Sequence, residues 1–308
     1  MSTTIVPNNS DNVNNNFEMI LQGNPINTLM TIQNKNLNLD NFTHSAEISI
    51  NGVRIQINNF KEVTLNITTF RFLDYLLIKM CKFLPYDRKN PVDDDKLSQW
   101  QVIKISIADF MQTTDLNNQA RTKNQIANAL SALQNISLSW AEKIYKKKKT
   151  EYMLFNMDIV SAFKPIRGGY LIQFDLRFLR YLSSFSYIMP FSSNLFKINL
   201  HKHPHSYFIA RRLLLHLNMN QKKSNSNIIS VKSLLESLNL PTYSEILNTT
   251  RQHTLRIRKP FERDMNHLKE ISFLSNWSYR DDISDFKKWL KSSLTYIIKN
   301  YPLKNNDK

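Results

Sequence analysis

Apolar residues recur along this chain with two different periods, and the switches between them mark out the elements. From Ile48 to Ile57 the large apolar side chains (Ile48, Ile50, Val53, Ile55, Ile57) alternate with polar ones on either side of Asn51-Gly52. A period of two belongs to a strand with one buried face, and Asn-Gly supplies the positive φ angles of a tight turn, so the stretch is predicted to be a two-stranded ribbon. The period then lengthens. Leu73, Leu76, Leu77, Met80 and Leu84 fall at helical spacing, with Thr68 or Thr69 as N-cap. After a polar, proline-bearing loop from Pro85 to Lys96, the residues from Trp100 to Ile105 alternate again as a short strand.

Ser106 stands where its hydroxyl can accept from an otherwise unpaired amide, and Ile107, Phe110 and Met111 give the short helix that follows one face to bury. Beyond the polar turn TTDLNNQ a longer helix is predicted to about Asn135, with Ile126, Leu130 and Leu133 facing in. The stretch ISLSWAEKIYKKKKTEYMLFNMDIV reads as two strands around a basic tip, Lys146 to Lys149. Strands about Gly168-Gly169 and a helix from about Asp175 to Ser183 complete this half.

The second half runs through the same order. A helix is predicted from Ser206 to Leu217, then a linker, a short helix capped by Ser230, and a longer helix over roughly residues 250–271 with Ile257, Phe261, Met265 and Leu268 inward. FLSNWSYR can begin a second wing, and Ile283 to Ile298 reads as an amphipathic helix. Two blocks repeat in order: ISIADFMQTTDL (Ile105–Leu116) with ISVKSLLESLNL (Ile229–Leu240), and LQNISLSW (Leu133–Trp140) with LKEISFLSNW (Leu268–Trp277). Helix, short helix, turn, longer helix and β-hairpin is the plan of a winged helix-turn-helix. The expected fold is therefore α+β, mainly α, with two tandem winged-helix domains at 17–190 and 191–308, a joint at Pro190 to Asn194 and a disordered Asn-rich tail at 1–16.

Composition narrows the partners. The 308 residues carry 41 Lys+Arg against 25 Asp+Glu, a formal net charge of +16, which attracts polyanions. The single cysteine, Cys81, excludes an internal disulfide and any multi-cysteine metal site. Only 4 glycines occur and no Walker-type motif, which argues against a Gly-rich phosphate loop. No basic-then-apolar leader and no apolar run of membrane-spanning length is seen, so a cytoplasmic protein without membrane contact is expected. Asp93, Asp94 and Asp95 read as a solvated charge run rather than a metal site, and no cofactor is indicated.

The placement of the basic residues points to DNA. On the first longer helix Arg121, Asn124, Gln125 and Asn128 lie opposite the core without a carboxylate among them. Arg matches the guanine edge, and Asn or Gln the adenine edge. On the second, the outer side carries Gln252, Arg256, Lys259 and Arg263, flanked by Arg251 and Arg258, all toward its N-terminal end. Pro260 removes an amide there, so the helix either kinks or starts near Lys259. Lys146, Lys147, Lys148 and Lys149, on the expected wing tip, suit phosphate contact. A competing chemistry is offered by HKHPH (His201 to His205) as a metal site with Tyr296 as nucleophile, the arrangement of a rolling-circle nicking initiator, although Lys202 and Pro204 depart from the His-hydrophobe-His pattern. A transcriptional repressor built from the same modules is the third possibility.

The tandem plan, and above all ISVKSLLESL followed by RIRKPFERDMNHLKEIS and a strand with Trp277 and Tyr279, resembles the winged-helix replication initiators of theta-replicating bacterial plasmids. The resemblance covers roughly Phe70 to Tyr279. It implies binding to direct repeats of double-stranded DNA at a plasmid origin, monomer–dimer control through a homodimer, recruitment of host initiator and helicase, and no catalytic residue. The recognition-helix role it carries over falls on Arg256, Lys259 and Arg263, and on Arg121, Asn124 and Asn128.

Overall fold

A computed structural model of the chain describes residues 16–30, 38–40, 45–50, 52–59, 65–88, 92–146, 149–203, 205–237 and 252–302. The expected tail at 1–16, Asn16 excepted, lies outside these residues, as do residues 238–251, Arg251 among them. The chain divides into two compact units, made chiefly of Met19–Ile188 and of Met189–Lys308.

The first unit opens with β1 (Phe17–Gln22), α1 (Asn24–Leu29) and the strands β2 (Asn38–Asp40), β3 (Ser45–Ile50) and β4 (Val53–Ile57). Gly52 has φ 77°, the left-handed conformation expected of the β3–β4 turn. Helix α2 (Ile67–Cys81) follows and is buried on almost every side, because its apolar residues are not confined to one stripe. Its N-cap is Asn66, whose Oδ1 accepts from Thr69 N–H at 3.1 Å, rather than either threonine. Phe72 and Tyr75 pack edge-on against Phe110, with ring centroids 5.4 and 5.0 Å apart. Cys81 is buried at the end of α2, and burial pushes its thiol up to about 11.

The aspartate run is not all loop: Asp94 opens the short helix α3 (Asp94–Ser98) and holds Arg180. Then come β5 (Val102–Ser106), α4 (Ile107–Thr114), α5 (Gln119–Gln134), a long hairpin of β6 (Ile136–Lys146) and β7 (Lys149–Asp158), a second hairpin of β8 (Val160–Ile166) and β9 (Gly169–Phe174), and α6 (Leu176–Ser184).

The sheet orders correct the expected wing. The hairpin around the lysines belongs to a five-stranded sheet, β2-β3-β4-β6-β7. The sheet that holds the short helix α4 is β5-β9-β8, so the wing of this module is β8–β9, with Arg167 and Gly168 at its tip. Sequence order could not separate the two hairpins, because both follow α5 and both alternate with period two. Two features pin the wing. Gly168 sits at φ 75°, and a Cβ on Gly169 would come within 1.9 Å of the Ile105 carbonyl oxygen, so β9 and β5 approach as only glycine permits.

The chain crosses to the second unit within β10 (Tyr187–Ser192), which contains Pro190. A 3₁₀ turn at Ser193–Lys197 leads to α7 (Ser206–Asn220), β11 (Ile228–Ser230) and α8 (Val231–Ser237). A π-helical turn at Thr254–Arg258 runs into α9 (Lys259–Glu270), and the chain ends with β12 (Leu274–Tyr279), α10 (Phe286–Lys291) and β13 (Ser293–Ile298). The expected single helix over Ile283 to Ile298 is thus a helix of six residues and a strand. Ser292, with ψ 163°, breaks them apart, and from Leu294 to Ile298 burial alternates with the period of a strand.

The two modules share one register. Their sheets have the orders β5-β9-β8 and β11-β13-β12, with the last strand of each in the middle. Ser106 pairs with Gly169, and Ser230 with Ser293, each at the end of its ladder. One residue on, Ile107 N–H donates to the Gly168 carbonyl at 3.0 Å, and Val231 N–H to the Ser292 carbonyl at 3.0 Å. Both serines then cap the short helix: Ser106 Oγ accepts from Asp109 N–H at 3.4 Å, and Ser230 Oγ from Ser233 N–H at 3.1 Å. The repeated Ile-Ser is the place where a strand ends and a helix begins, twice.

Candidate nucleic-acid interface

Helix α5 starts cleanly because Asn118 Oδ1 accepts from Arg121 N–H at 2.9 Å while Thr122 Oγ1 donates to the Asn118 carbonyl at 2.8 Å. Thr122, Ile126, Ala129, Leu130 and Leu133 are buried on α2 and the sheet, which fixes the helix about its axis. Arg121, Asn124 and Asn128 are consequently exposed, as the 100° rotation predicts, whereas Gln125 stands at the edge of that face and is half-buried. The helix contains no carboxylate. Tyr170 on β9 donates from its hydroxyl to the Lys123 carbonyl at 3.2 Å, tying the first turns of α5 to the wing. On that wing Lys164 and Arg167 are exposed. Neither figured among the sequence candidates; the signal was the turn at Gly168, beside which Arg167 stands. Of the lysine cluster, Lys146 pairs with Lys149 at the end of the β6–β7 ladder, and Lys147 and Lys148 lie outside the described residues.

In the second module the proline leaves its mark on the backbone. Pro260 has no N–H to return to the turn before it, and an α-helical ring would clash with the carbonyl four residues back. The turn at Thr254–Arg258 is widened, with Lys259 N–H donating to the Thr254 carbonyl five residues earlier. The helix therefore neither breaks nor begins at Lys259, which keeps φ −61° and ψ −45°. Ile257, Phe261, Met265 and Leu268 are buried as expected, and Gln252, Arg256, Lys259 and Arg263 are exposed. Gln252 has φ 68° and accepts from Leu255 N–H and Arg256 N–H at 3.0 and 3.1 Å, so it closes the start of the helical segment.

Arg258 goes elsewhere. Its Nε donates to Glu262 Oε1 at 2.8 Å and its NH1 to the Ile283 carbonyl at 2.7 Å. Glu262 also accepts from the Tyr279 hydroxyl at 3.1 Å, and Trp289 Nε1 donates to that hydroxyl at 2.7 Å. Burial, with the Glu262 charge adding to it, holds the Tyr279 phenol well above its ordinary range, so it stays protonated as donor. The first turns of α9 thus show no free outward carboxylate: Glu262 is taken by Arg258 and Tyr279, and Asp264 is fully buried. Trp277 Nε1 donates to Asn266 Oδ1 at 3.1 Å, a second tie between helix and wing.

The histidines of HKHPH do not converge. His201 is exposed in a turn, His203 lies flat on His267 with ring centroids 3.6 Å apart and its Nδ1 3.3 Å from Asp264 Oδ1, and burial pushes the pKa of His205 down. Among the described residues no group of three His, Cys, Asp or Glu side chains is set to hold a metal. Tyr296 is 1% exposed in the central strand β13, where its hydroxyl donates to the Leu213 carbonyl at 3.1 Å and lies 2.9 Å from His216 Nδ1. It is a core residue out of reach of a phosphodiester, and the nicking reading loses its nucleophile. No described helix is long and apolar enough to cross a membrane.

No protein-family model and no curated protein sequence matches the chain. Solved structures do. A crystal structure of the Pi initiator protein in complex with iteron DNA superposes with a TM-score of 0.53 at 13% identity, covering 94% of this chain and 100% of that one. Two structures of domains 2 and 3 of RctB match with TM-scores of 0.40 and 0.43 at 8% and 10% identity, covering 82% and 90% of this chain and 90% and 99% of theirs. In fold, this chain is a tandem winged-helix protein like the Pi initiator protein, matched along nearly its whole length.

Proposed function

We propose that this protein is a plasmid replication initiator that binds repeated double-stranded sites at an origin through the outward faces of α5 and α9. One observation carries the reading: both helices that occupy the recognition position turn outward a basic and amide face from which carboxylates are absent, buried or already bonded. The fold it shares with an initiator whose crystal structure holds iteron DNA supports the same reading. Arg256, Lys259 and Arg263, with Gln252 and Arg251, address one repeat segment. Arg121, Asn124, Gln125 and Asn128 address another. Lys146 to Lys149 serve phosphate at the tip of the β6–β7 hairpin, and Arg258 supports rather than contacts. The reading extends to a homodimer in copy-number control and to host initiator and helicase as partners, in the cytoplasm at the plasmid.

The test is a titration of duplex DNA flanking the protein's own gene, with Arg256, Lys259 and Arg263 replaced together by alanine. Base-reading arginines are each worth about 1–3 kcal/mol, so the folded triple variant is expected to lose roughly a hundredfold or more in affinity. A folded triple variant that binds as tightly as the native protein overturns the reading.

A further inference from the structure

The outward face of the second recognition helix holds one residue that charge alone does not explain. Leu255 is 52% exposed, although its neighbour Ile257 is buried. Leu255, Lys259 and Arg263 are all exposed, a row on the side of the helix away from the buried Ile257 and Phe261. The row begins inside the π-helical turn, which is held from both ends: by Gln252, which accepts from Leu255 and Arg256 N–H, and by Arg258, which is fastened to Glu262 and the Ile283 carbonyl. The leucine is therefore presented by a braced turn, at the N-terminal end from which such helices reach bases. An isolated exposed leucine elsewhere on a surface needs no explanation. Here it interrupts a face that is otherwise polar and basic. In the major groove the one strongly apolar feature is the 5-methyl group of thymine.

Resting on the assignment of α9 as a recognition helix, we propose that Leu255 is a specificity-determining residue that packs on a thymine methyl of the bound site. Arg256, Lys259 and Arg263 anchor and read around it. Leu255 makes the site prefer T·A over C·G at one position by removing the methyl group from water together with its own side chain.

The test uses duplex DNA selected from a randomised pool by the full chain, and the same duplex with each thymine in turn replaced by deoxyuridine. That exchange deletes one methyl and leaves every hydrogen-bonding group in place. At one position the native protein is expected to lose about threefold to tenfold in affinity, the scale of one buried methyl. The Leu255→Ala variant, altered only at an exposed side chain, should bind the thymine and deoxyuridine duplexes alike at that position. Native binding that is indifferent to deoxyuridine at every position overturns the proposal while leaving α9 as the recognition helix. So does a Leu255→Ala variant that keeps the native sensitivity. A selection that enriches no sequence at all sinks the recognition-helix assignment itself, and the proposal with it.

Discussion

Arg258 and Glu262 form an ion pair one helical turn apart, with Nε 2.8 Å from Oε1 and both side chains mostly covered. The pair separates two arginines that look equivalent in RIRKP. Arg256 is exposed, whereas Arg258 joins the π-helical turn to the loop at Ile283 and, through Glu262, to Tyr279 on β12. Replacing Arg258 by alanine should lower stability by about 1–3 kcal/mol, because Glu262 and the Ile283 carbonyl lose a charged donor. Replacing Arg256 should leave stability within about 0.5 kcal/mol and weaken DNA binding roughly tenfold. Urea unfolding of both variants, beside their binding curves, checks the contrast. Equal stability losses in the two would contradict it.

The two basic hairpins of the first unit also part company. Among the described residues only β8–β9 shares a sheet with β5, and its β9 is bonded to the first turns of α5 through Tyr170. Alanine at Lys164 and Arg167 together should reduce the slope of log affinity against log salt by about 2, nearly one unit for each phosphate no longer neutralised, and should do so alike for every sequence tested. Substituting Lys146 to Lys149 should change it less. Binding measured from 50 to 200 mM salt decides. A larger effect from the four lysines would make β6–β7 the arm that follows the backbone.

Acid should act through Asp175. Burial alone would raise the pKa of this carboxyl, but the Arg177 side chain, together with the amides of Arg177 and Asp158, outweighs burial and holds it below the ordinary carboxylate range. A folded pKa below the unfolded one contributes stability that is complete above the unfolded value, near 4, and disappears as pH falls through the folded value. The native chain should therefore exceed Asp175→Asn in stability by about 1–2 kcal/mol at pH 7. The difference should shrink as pH falls from the unfolded value through the folded one. Urea midpoints at several pH values test this, and a difference independent of pH would show that the charge does not matter.

Much of this architecture was legible in the residues, and its gaps have physical causes. The Ile-Ser pairs at 105–106 and 229–230 marked both strand-to-helix junctions, because a cap needs a short hydroxyl at one fixed place. The outward positions of α5 and α9, Gln125 apart, followed from rotation about the buried Ile126 and Phe261. Which hairpin was the wing did not follow, since pairing of β5 with β9 joins distant segments and no local period records it. Ile283 to Ile298 looked helical because Leu290, Leu294 and Ile298 are spaced by four; a strand buried on one face, at Leu294, Tyr296 and Ile298, meets that spacing at every second inward position. Leu255 carries no charge to mark it, and only its exposure sets it apart from the buried Ile257.

The widened turn at Thr254–Arg258 has a consequence for how such a surface can change. A π-helical turn accommodates one residue more than an α turn, and so it is where a helix can take up an inserted residue without disturbing the packing beyond it. In this chain Phe261, Met265 and Leu268 anchor the helix in the interior, while Leu255 and Arg256 stand exposed on the widened turn. Trimming or shifting that loop would swing Leu255 and Arg256 to a new heading with the buried half of the helix untouched. A lineage could thereby acquire a different target site through one local edit.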